Sequence, residues 1–347
     1  MKVAMLTVGD VTRKTGGYLY HAHVYPLLAA QGITVTDVVL SGADVQAQRQ
    51  AQLDVASLDV TAYDVLLVDA LARTAVAPHL ARWQRRTPVV AMVHELPSVA
   101  SGVDAADEAP LLGADVLIAV SADGRQRLLD RGVPAERIVV AHPGCDRHGP
   151  AAPPQPLVPP ACICVAQWIP RKGLDVLVAA WHQLAHPSAV LHLYGETDAD
   201  AAYAAQLWQQ IATAQVQGSR IEVHGCVSDA VIQRAYQGAT CLVLPSRFEG
   251  YGMVFAEALW AGVPVIACDV GPVAQIVADA GVLVPVDDVE ALRLALAGVL
   301  TDARWHTNLS QAAQRRGRQL DRWQDTAQQW QRACVQALAR ERWCESG

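Results

Sequence analysis

The sequence predicts an α/β protein built from two doubly wound, Rossmann-like parallel-sheet domains facing a cleft. Three observations carry that reading. Short apolar runs recur along the chain without the alternation of a half-exposed strand, amphipathic stretches lie between them, and the pattern stops at a proline-rich segment before starting again. Such runs fit strands buried on both faces, and the intervening helices imply right-handed crossovers in a parallel sheet.

Strands are expected in the first half at Val3 to Val8, Ile33 to Leu40, Val65 to Val68, Val89 to Val93, Val116 to Val120 and Ile138 to Val140. Helical stretches such as Tyr18 to Ala30 and Asp123 to Arg131 lie between them. The segment GPAAPPQPLVPP at 149–160 holds six prolines in twelve residues and suits neither a helix nor a central strand. It reads as a linker. Strands are then expected at Ala161 to Ala166, Val190 to Tyr194, Ile221 to His224, Thr240 to Leu244, Val263 to Ala267 and Val282 to Val284. The organisation is a first domain at 1–150, a second at 151–320 and a C-terminal helical segment at 321–347. In that segment Asp325 to Ala339 places apolar residues at Ala327, Trp330, Ala333 and Val335, so the helix either caps the second core or crosses back to the first domain.

Composition agrees with two packed cores. The 347 residues are 52% hydrophobic and 18% charged, too apolar for disorder and too long for a single core. With 27 basic against 34 acidic residues the net charge is −7, which argues against nucleic acid as a main partner. The eight cysteines form no CxxC pair, and Cys162, Cys164, Cys226, Cys241 and Cys268 read as small buried hydrophobes. The N-terminus MKVAMLTVGD lacks a signal-peptide h-region, and no apolar run reaches the ~18 residues of a membrane span. A soluble cytoplasmic protein is expected.

Open parallel sheets bind ligands beyond the carboxyl ends of their strands, so the site is expected in the cleft. After the strand ending at Leu244 comes a loop with Gly250 and Gly252, then a helix from about Met253 that stops at Gly262. The free N–H groups of Gly252, Met253 and Val254, with the positive end of the helix dipole, suit a phosphate. Glu257, one turn into that helix, suits a ribose diol, and Glu249 on the loop suits sugar hydroxyls. Taken singly, Glu249 reads equally as a solvated loop charge and Glu257 as a helix-start carboxylate. Arg171 and Lys172 follow a strand and precede a helix, where both cations suit a diphosphate or are simply exposed in a turn. Gly16 and Gly17 before the first long helix form a second candidate anion site, without the dinucleotide GxGxxG fingerprint.

These residues together resemble the retaining glycosyltransferases of family 4, which adopt the two-domain GT-B architecture. The resemblance rests on an E-x7-E pattern, Glu249 to Glu257, with PRKG at Pro170 to Gly173, HGCV at His224 to Val227 and GVLVPVDD at Gly281 to Asp288. It implies sugar transfer from a UDP- or GDP-linked donor to an acceptor hydroxyl, with retained anomeric configuration and without a metal or other cofactor. Glu257 would then hold the donor ribose, Glu249 the sugar hydroxyls, and Arg171 and Lys172 the diphosphate. The loop residues Gly250 and Tyr251, with Gly252, Met253 and Val254, would line the phosphates and sugar, and the backbone near Val227 the base. In the first domain Gly16 and Gly17 match the family's glycine-rich loop, and His94 its donor-sugar histidine.

One departure stands out. Many members carry an arginine five or six residues before the PRKG lysine, where this chain has Gln167. The string Asp198-Ala199-Asp200 reads as a helix N-cap and not as a metal motif. Competing readings are a non-catalytic nucleotide-sugar-binding GT-B protein and a sugar-nucleotide epimerase. A phosphorylase lacks a marked cofactor lysine, and an oxidoreductase lacks the glycine fingerprint. The acceptor is a glycan, a lipid-linked sugar or a small molecule. Cations at Arg82, Arg85, Arg86, Arg125, Arg127 and Arg131 form either solvated helix faces or a weak peripheral contact with the inner face of a membrane.

Overall fold

The computed structural model describes residues 1–40, 55–100, 108–149 and 157–344. The chain divides into two compact units, one made of Met1–Gly144 with Asp321–Gly347 and the other of Cys145–Leu320.

The first unit holds a six-stranded sheet of β1 (Lys2–Val8), β2 (Thr34–Leu40), β3 (Val65–Asp69), β4 (Val89–Val93), β5 (Val116–Ala119) and β6 (Ile138–Val140), in the order β2-β1-β3-β4-β5-β6. All neighbours are parallel. Every residue of β3 and β4 is buried, which is why these strands read as unbroken apolar runs. The strand order reverses between β1 and β3. The glycine-led helix Gly16–Ala30 follows β1, and Asp69 ends β3 beside it in the sheet.

The 22-residue helix Trp323–Cys344 belongs to this first unit. Trp330 is fully buried, donates from Nε1 to the Tyr20 hydroxyl at 2.8 Å, and Tyr20 donates in turn to the Ala141 carbonyl at 2.9 Å. Thr326 Oγ1 donates to the His142 carbonyl at 2.7 Å. The buried stripe is Ala327, Trp330, Ala333, Cys334 and Ala337; Val335, expected on it, is 52% exposed because it falls on the opposite side of the turn.

The second unit holds β7 (Ala161–Val165), β8 (Val190–Tyr194), β9 (Ile221–Gly225), β10 (Cys241–Leu244), β11 (Val265–Cys268) and β12 (Gly281–Val284). Its order, β12-β11-β10-β7-β8-β9, is the doubly wound arrangement with its reversal between β7 and β10. All neighbours are again parallel. Cys162 and Cys241 face each other across β7 and β10 with sulfurs 3.4 Å apart as free thiols, and Cys164 and Cys268 are buried as well. Cys226 corrects the expectation: it is exposed, because Gly225 ends β9 at the sheet edge and the chain turns outward there.

The unit boundary also corrects the sequence reading. The change of unit comes at Gly144 and Cys145, before the proline-rich segment, which lies within the range of the second unit. Cys145, Arg147 and His148 already pack there: Cys145 Sγ contacts the Gly317 carbonyl at 3.8 Å, and Arg147 and His148 meet Glu257. Prolines 150, 153, 154 and 156 lie outside the described residues. On either side, Gly149 accepts from Trp260 Nε1 at 2.8 Å and Leu157 N donates to the Gly238 carbonyl at 3.0 Å.

Candidate functional site

In the second unit the loops that leave β7 and β10 emerge at the strand-order reversal, where doubly wound sheets take their ligands. The first loop makes a single 3-10 turn, Pro170–Lys172, and passes through Gly173 at φ +67° into the helix Leu174–Leu184. A Cβ on Gly173 would stand 2.2 Å from the Pro245 carbonyl oxygen, so only glycine lets the two loops touch. Arg247 rivets them: its backbone N–H donates to the Arg171 carbonyl at 2.8 Å, and its guanidinium bonds Pro170 O, Asp175 at 2.8 Å and Asp287 at 2.7 Å.

The result is an ion pair between loops. Lys172 Nζ donates to Glu249 Oε1 at 2.7 Å, and Ser246 Oγ donates to the same oxygen at 2.6 Å. Arg171 donates to the Phe248 carbonyl at 3.3 Å and lies 6.0 Å over the Phe248 ring. Burial by itself raises the Glu249 carboxyl, but the Lys172 and Arg171 cations and the two hydrogen bonds outweigh it and hold the acid below its ordinary range. Glu249 is thus a fixed anion. An ammonium has three donors, so the Lys172 bond to Glu249 leaves two for another partner.

Gly250, Tyr251 and Gly252 carry the chain from Glu249 into the helix Met253–Trp260. Gly252 takes φ +102°, and a Cβ there would meet the Phe255 ring at 2.5 Å. The first helical bond runs from Phe255 N to Gly252 O at 3.0 Å, so the amides of Gly252, Met253 and Val254 precede the ladder. Glu257 is buried, 3% exposed, one turn further on. Its Oε2 accepts from the Tyr236 hydroxyl at 3.0 Å and lies 3.4 Å from His148 Nε2, while Oε1 lies 3.4 Å from Arg147 Nε. Burial raises this carboxyl too, and Arg147, with His148 and Tyr236, overcomes that and keeps it low. A carboxylate offers about four acceptor positions, so these partners leave room for further donors. Val227 follows the end of β9 and is half-buried.

The first unit brings together the other three expected residues. Gly17 packs against the His94 ring, with a built Cβ 3.6 Å away, and Gly16 starts the same helix. His94 Nε2 lies 3.1 Å from His21 Nε2, and the Tyr20 ring stands edge-on at 5.3 Å. Burial lowers the His94 pKa against the pull of Asp69 and Glu95. Asp69 shifts upward through burial, despite His94 and its bonds to Leu71 N and Thr7.

Sequence reasoning missed Arg147, His148 and Tyr236 around Glu257, and Arg247, Asp175 and Asp287 between the loops. Glu249 and Glu257 stood out in the E-x7-E pattern, whereas Arg147, His148 and Tyr236 come from a loop and a helix elsewhere in the chain and carry no local signature. Gln167 donates to Glu196 at 2.6 Å, and Asp200 caps the helix Ala201–Val216 through Tyr203 N at 3.0 Å, as read from the sequence. Of the basic residues considered for a surface face, Arg127 pairs with Asp123 at 2.7 Å, Arg131 with Glu108 at 2.5 Å, and Arg82 donates to the Ala56 carbonyl at 3.2 Å. Among the described residues no helix is long and apolar enough to cross a membrane.

Comparison with known proteins gives matches to family models in both halves of the chain. Residues 159–302 match the family described as Glycosyl transferases group 1, and residues 56–148 match Glycosyltransferase Family 4. A phosphatidyl-myo-inositol mannosyltransferase of Mycolicibacterium smegmatis is 34% identical over 38% of this chain and 34% of its own length. An O-antigen chain mannosyltransferase B of Escherichia coli is 33% identical over 28% of this chain and 26% of its own. The chain therefore aligns with about a third or less of the length of these relatives. Among solved structures, a sucrose-phosphate synthase from Thermosynechococcus elongatus superposes with TM-score 0.79 at 22% identity, covering 98% of this chain and 99% of that one. HepE of Anabaena in complex with UDP-glucose gives 0.78 at 19%, covering 98% and 100%. At these identities the structural matches establish the fold.

Proposed function

This chain belongs to the glycosyltransferases of group 1 and family 4, and we propose that it transfers a hexose from a UDP- or GDP-linked donor to an acceptor hydroxyl, retaining the anomeric configuration and needing no metal. The observation that carries the proposal is the Lys172–Glu249 pair, held beside Arg171 and ahead of the helix that starts at Met253. Departure of a nucleoside diphosphate builds negative charge, and the two cations with the helix N-terminus supply preorganised positive potential for it. That supply supports transfer without a divalent ion.

Glu249 acts by orientation. Its oxygen is fixed by Lys172 and Ser246, which supports a role in holding donor-sugar hydroxyls while the acceptor attacks from the face the diphosphate leaves. Glu257 takes the ribose diol through acceptor positions left beside Arg147, His148 and Tyr236. Gly250, Tyr251 and the amides of Gly252, Met253 and Val254 meet the phosphates and sugar, and the backbone at Val227 the base. In the first unit His94 is the donor-sugar contact, with Gly16 and Gly17 beside it; burial favours its neutral ring, which can donate or accept one hydrogen bond.

The donor class is supported by the UDP-glucose complex of HepE and by the mannosyltransferase relatives. A thermal-shift series with UDP, GDP and their hexose conjugates tests it, since a ligand at 100 times Kd adds about 2.7 kcal/mol. Glu249→Gln is expected to keep nucleotide binding and lose most turnover. Product anomeric configuration by NMR tests retention, and turnover in excess EDTA tests metal independence. Gln167, engaged with Glu196 where many members carry a phosphate-binding arginine, favours a second reading as a non-catalytic nucleotide-sugar binder. Nucleotide binding without donor hydrolysis or transfer would establish that reading instead.

A further inference from the structure

Three ligating atoms converge on the outer strands of the second sheet, and no donor-site role involves them. On β8 and the edge strand β9, His192 stands opposite Glu222 in the parallel register. His224, two positions further along β9, shares that face. His192 Nδ1 lies 2.9 Å from His224 Nε2 and 3.4 Å from Glu222 Oε2, and His224 Nε2 lies 3.8 Å from the same carboxylate oxygen. A single proton on His192 Nδ1 cannot bond both neighbours well.

A metal ion can serve all three. With metal–ligand bonds of about 2.1 Å, separations of 2.9, 3.4 and 3.8 Å subtend roughly 90°, 110° and 130°, which brackets tetrahedral coordination. Two imidazoles and a carboxylate suit zinc, cobalt or nickel better than the hard ions calcium and magnesium. Side-chain exposures of 16%, 31% and 56% for His192, His224 and Glu222 leave an approach from solvent and room for a water ligand. The ring of Tyr194 stacks on His224 at 4.5 Å and 11°, holding that imidazole in place.

We propose that His192 Nδ1, His224 Nε2 and Glu222 Oε2 form a divalent transition-metal site that ties the edge strand β9 to β8. None of the three ligands is among the donor-contacting residues proposed above. Ligation needs an unprotonated imidazole, so binding is expected to weaken as pH falls. The described residues contain one other histidine-rich group, His21, Asp69 and His94, of which His94 is assigned to the donor. The test must therefore separate the two.

Cobalt(II) titration of the full chain does so, in a Cys226→Ser background that removes the exposed thiol. Visible d–d bands are expected to grow with one ion per chain, to be displaced by zinc and to resist magnesium. His224→Ala and His192→Ala should each weaken cobalt binding by at least about tenfold, with a smaller loss for Glu222→Gln. Zinc should raise the melting temperature of the parent but not of the double histidine variant. His224, the more exposed of the two histidines, carries the test alone if His192→Ala does not fold. Absence of bands in the parent, or unchanged affinity in His224→Ala, would overturn the site and in the second case assign binding to other ligands.

Discussion

Lys172 Nζ and Glu249 Oε1 stand 2.7 Å apart although 77 residues separate them in sequence. The pair joins the loop that leaves β7 to the loop that leaves β10, and both side chains are largely shielded, at 15% and 5% exposure. Neither charge is affordable alone, so each loop's position depends on the other.

Lys172→Met therefore strands a buried carboxylate. Breaking such a pair costs roughly 3–5 kcal/mol, whereas removing both charges costs less. Urea unfolding should show Lys172→Met well below wild type, with the double variant Lys172→Met/Glu249→Gln recovering part of the loss. Additive losses in the double variant would mean that the two groups do not interact energetically.

Acid should expose the same dependence at two glutamates. Glu249 and Glu257 both have depressed pKa values in the folded state: burial pushes each up, and neighbouring cations and hydrogen bonds push harder the other way. A depressed folded pKa gives stability that is fully present above the unfolded value, about 4.3, and is lost as pH falls through the folded value. Unfolding free energy measured from pH 7 to 3 should fall on the acid side. The fall should be shallower in Glu257→Gln, which starts lower at neutral pH because Arg147 has lost its anion. Equal acid slopes in the two proteins would remove Glu257 from the acid response.

Gly173→Ala tests the loop junction without touching a charge. At φ +67°, with the Pro245 carbonyl 2.2 Å from the new Cβ, alanine meets both backbone strain and a clash with a main-chain atom. Strain of this kind costs on the order of 1–3 kcal/mol, and the clash adds to it. The variant should lose stability, and nucleotide-induced thermal shifts should shrink more than in a control Gly218→Ala, where φ is +94° but nothing lies within 4 Å. Equal shifts in both variants would separate the PRKG turn from nucleotide binding.

The strands were legible because burial on both faces writes them as apolar runs. Glu249, Glu257, Arg171 and Lys172 were singled out on loops and a helix start beside predicted strands, and they were joined as a set by the family resemblance. What stayed hidden is the pairing among distant segments. The prolines of 149–160 suggested the unit boundary by local stiffness, whereas the boundary is set by Arg147 and His148 reaching Glu257, more than a hundred residues away. Arg247 was not singled out at all, although it bonds Asp175 and Asp287 and is pushed further into its charged form, chiefly by the hydrogen bond to Asp175. Cys226 was misread because a position beside an apolar run does not say whether the chain is still covered once an edge strand stops.

The helix Trp323–Cys344 tests whether sequence order or packing decides which unit a segment stabilises. Trp330 is fully buried and its indole N–H reaches Tyr20, in a helix near the start of the chain. Trp330→Phe keeps most of the apolar volume and loses that donor, while Tyr20 still donates to Ala141, so a cost near 1 kcal/mol is expected. Trp330→Ala adds a cavity and should cost roughly 3–5 kcal/mol. Because all of these partners lie in the first unit, hydrogen exchange should show faster amide exchange in β1, β3, β4 and β5 and in Gly16–Ala30. Protection in β7 and β10 should stay at the wild-type level. Loss of protection in the second sheet instead would mean that the helix stabilises the unit it follows in sequence.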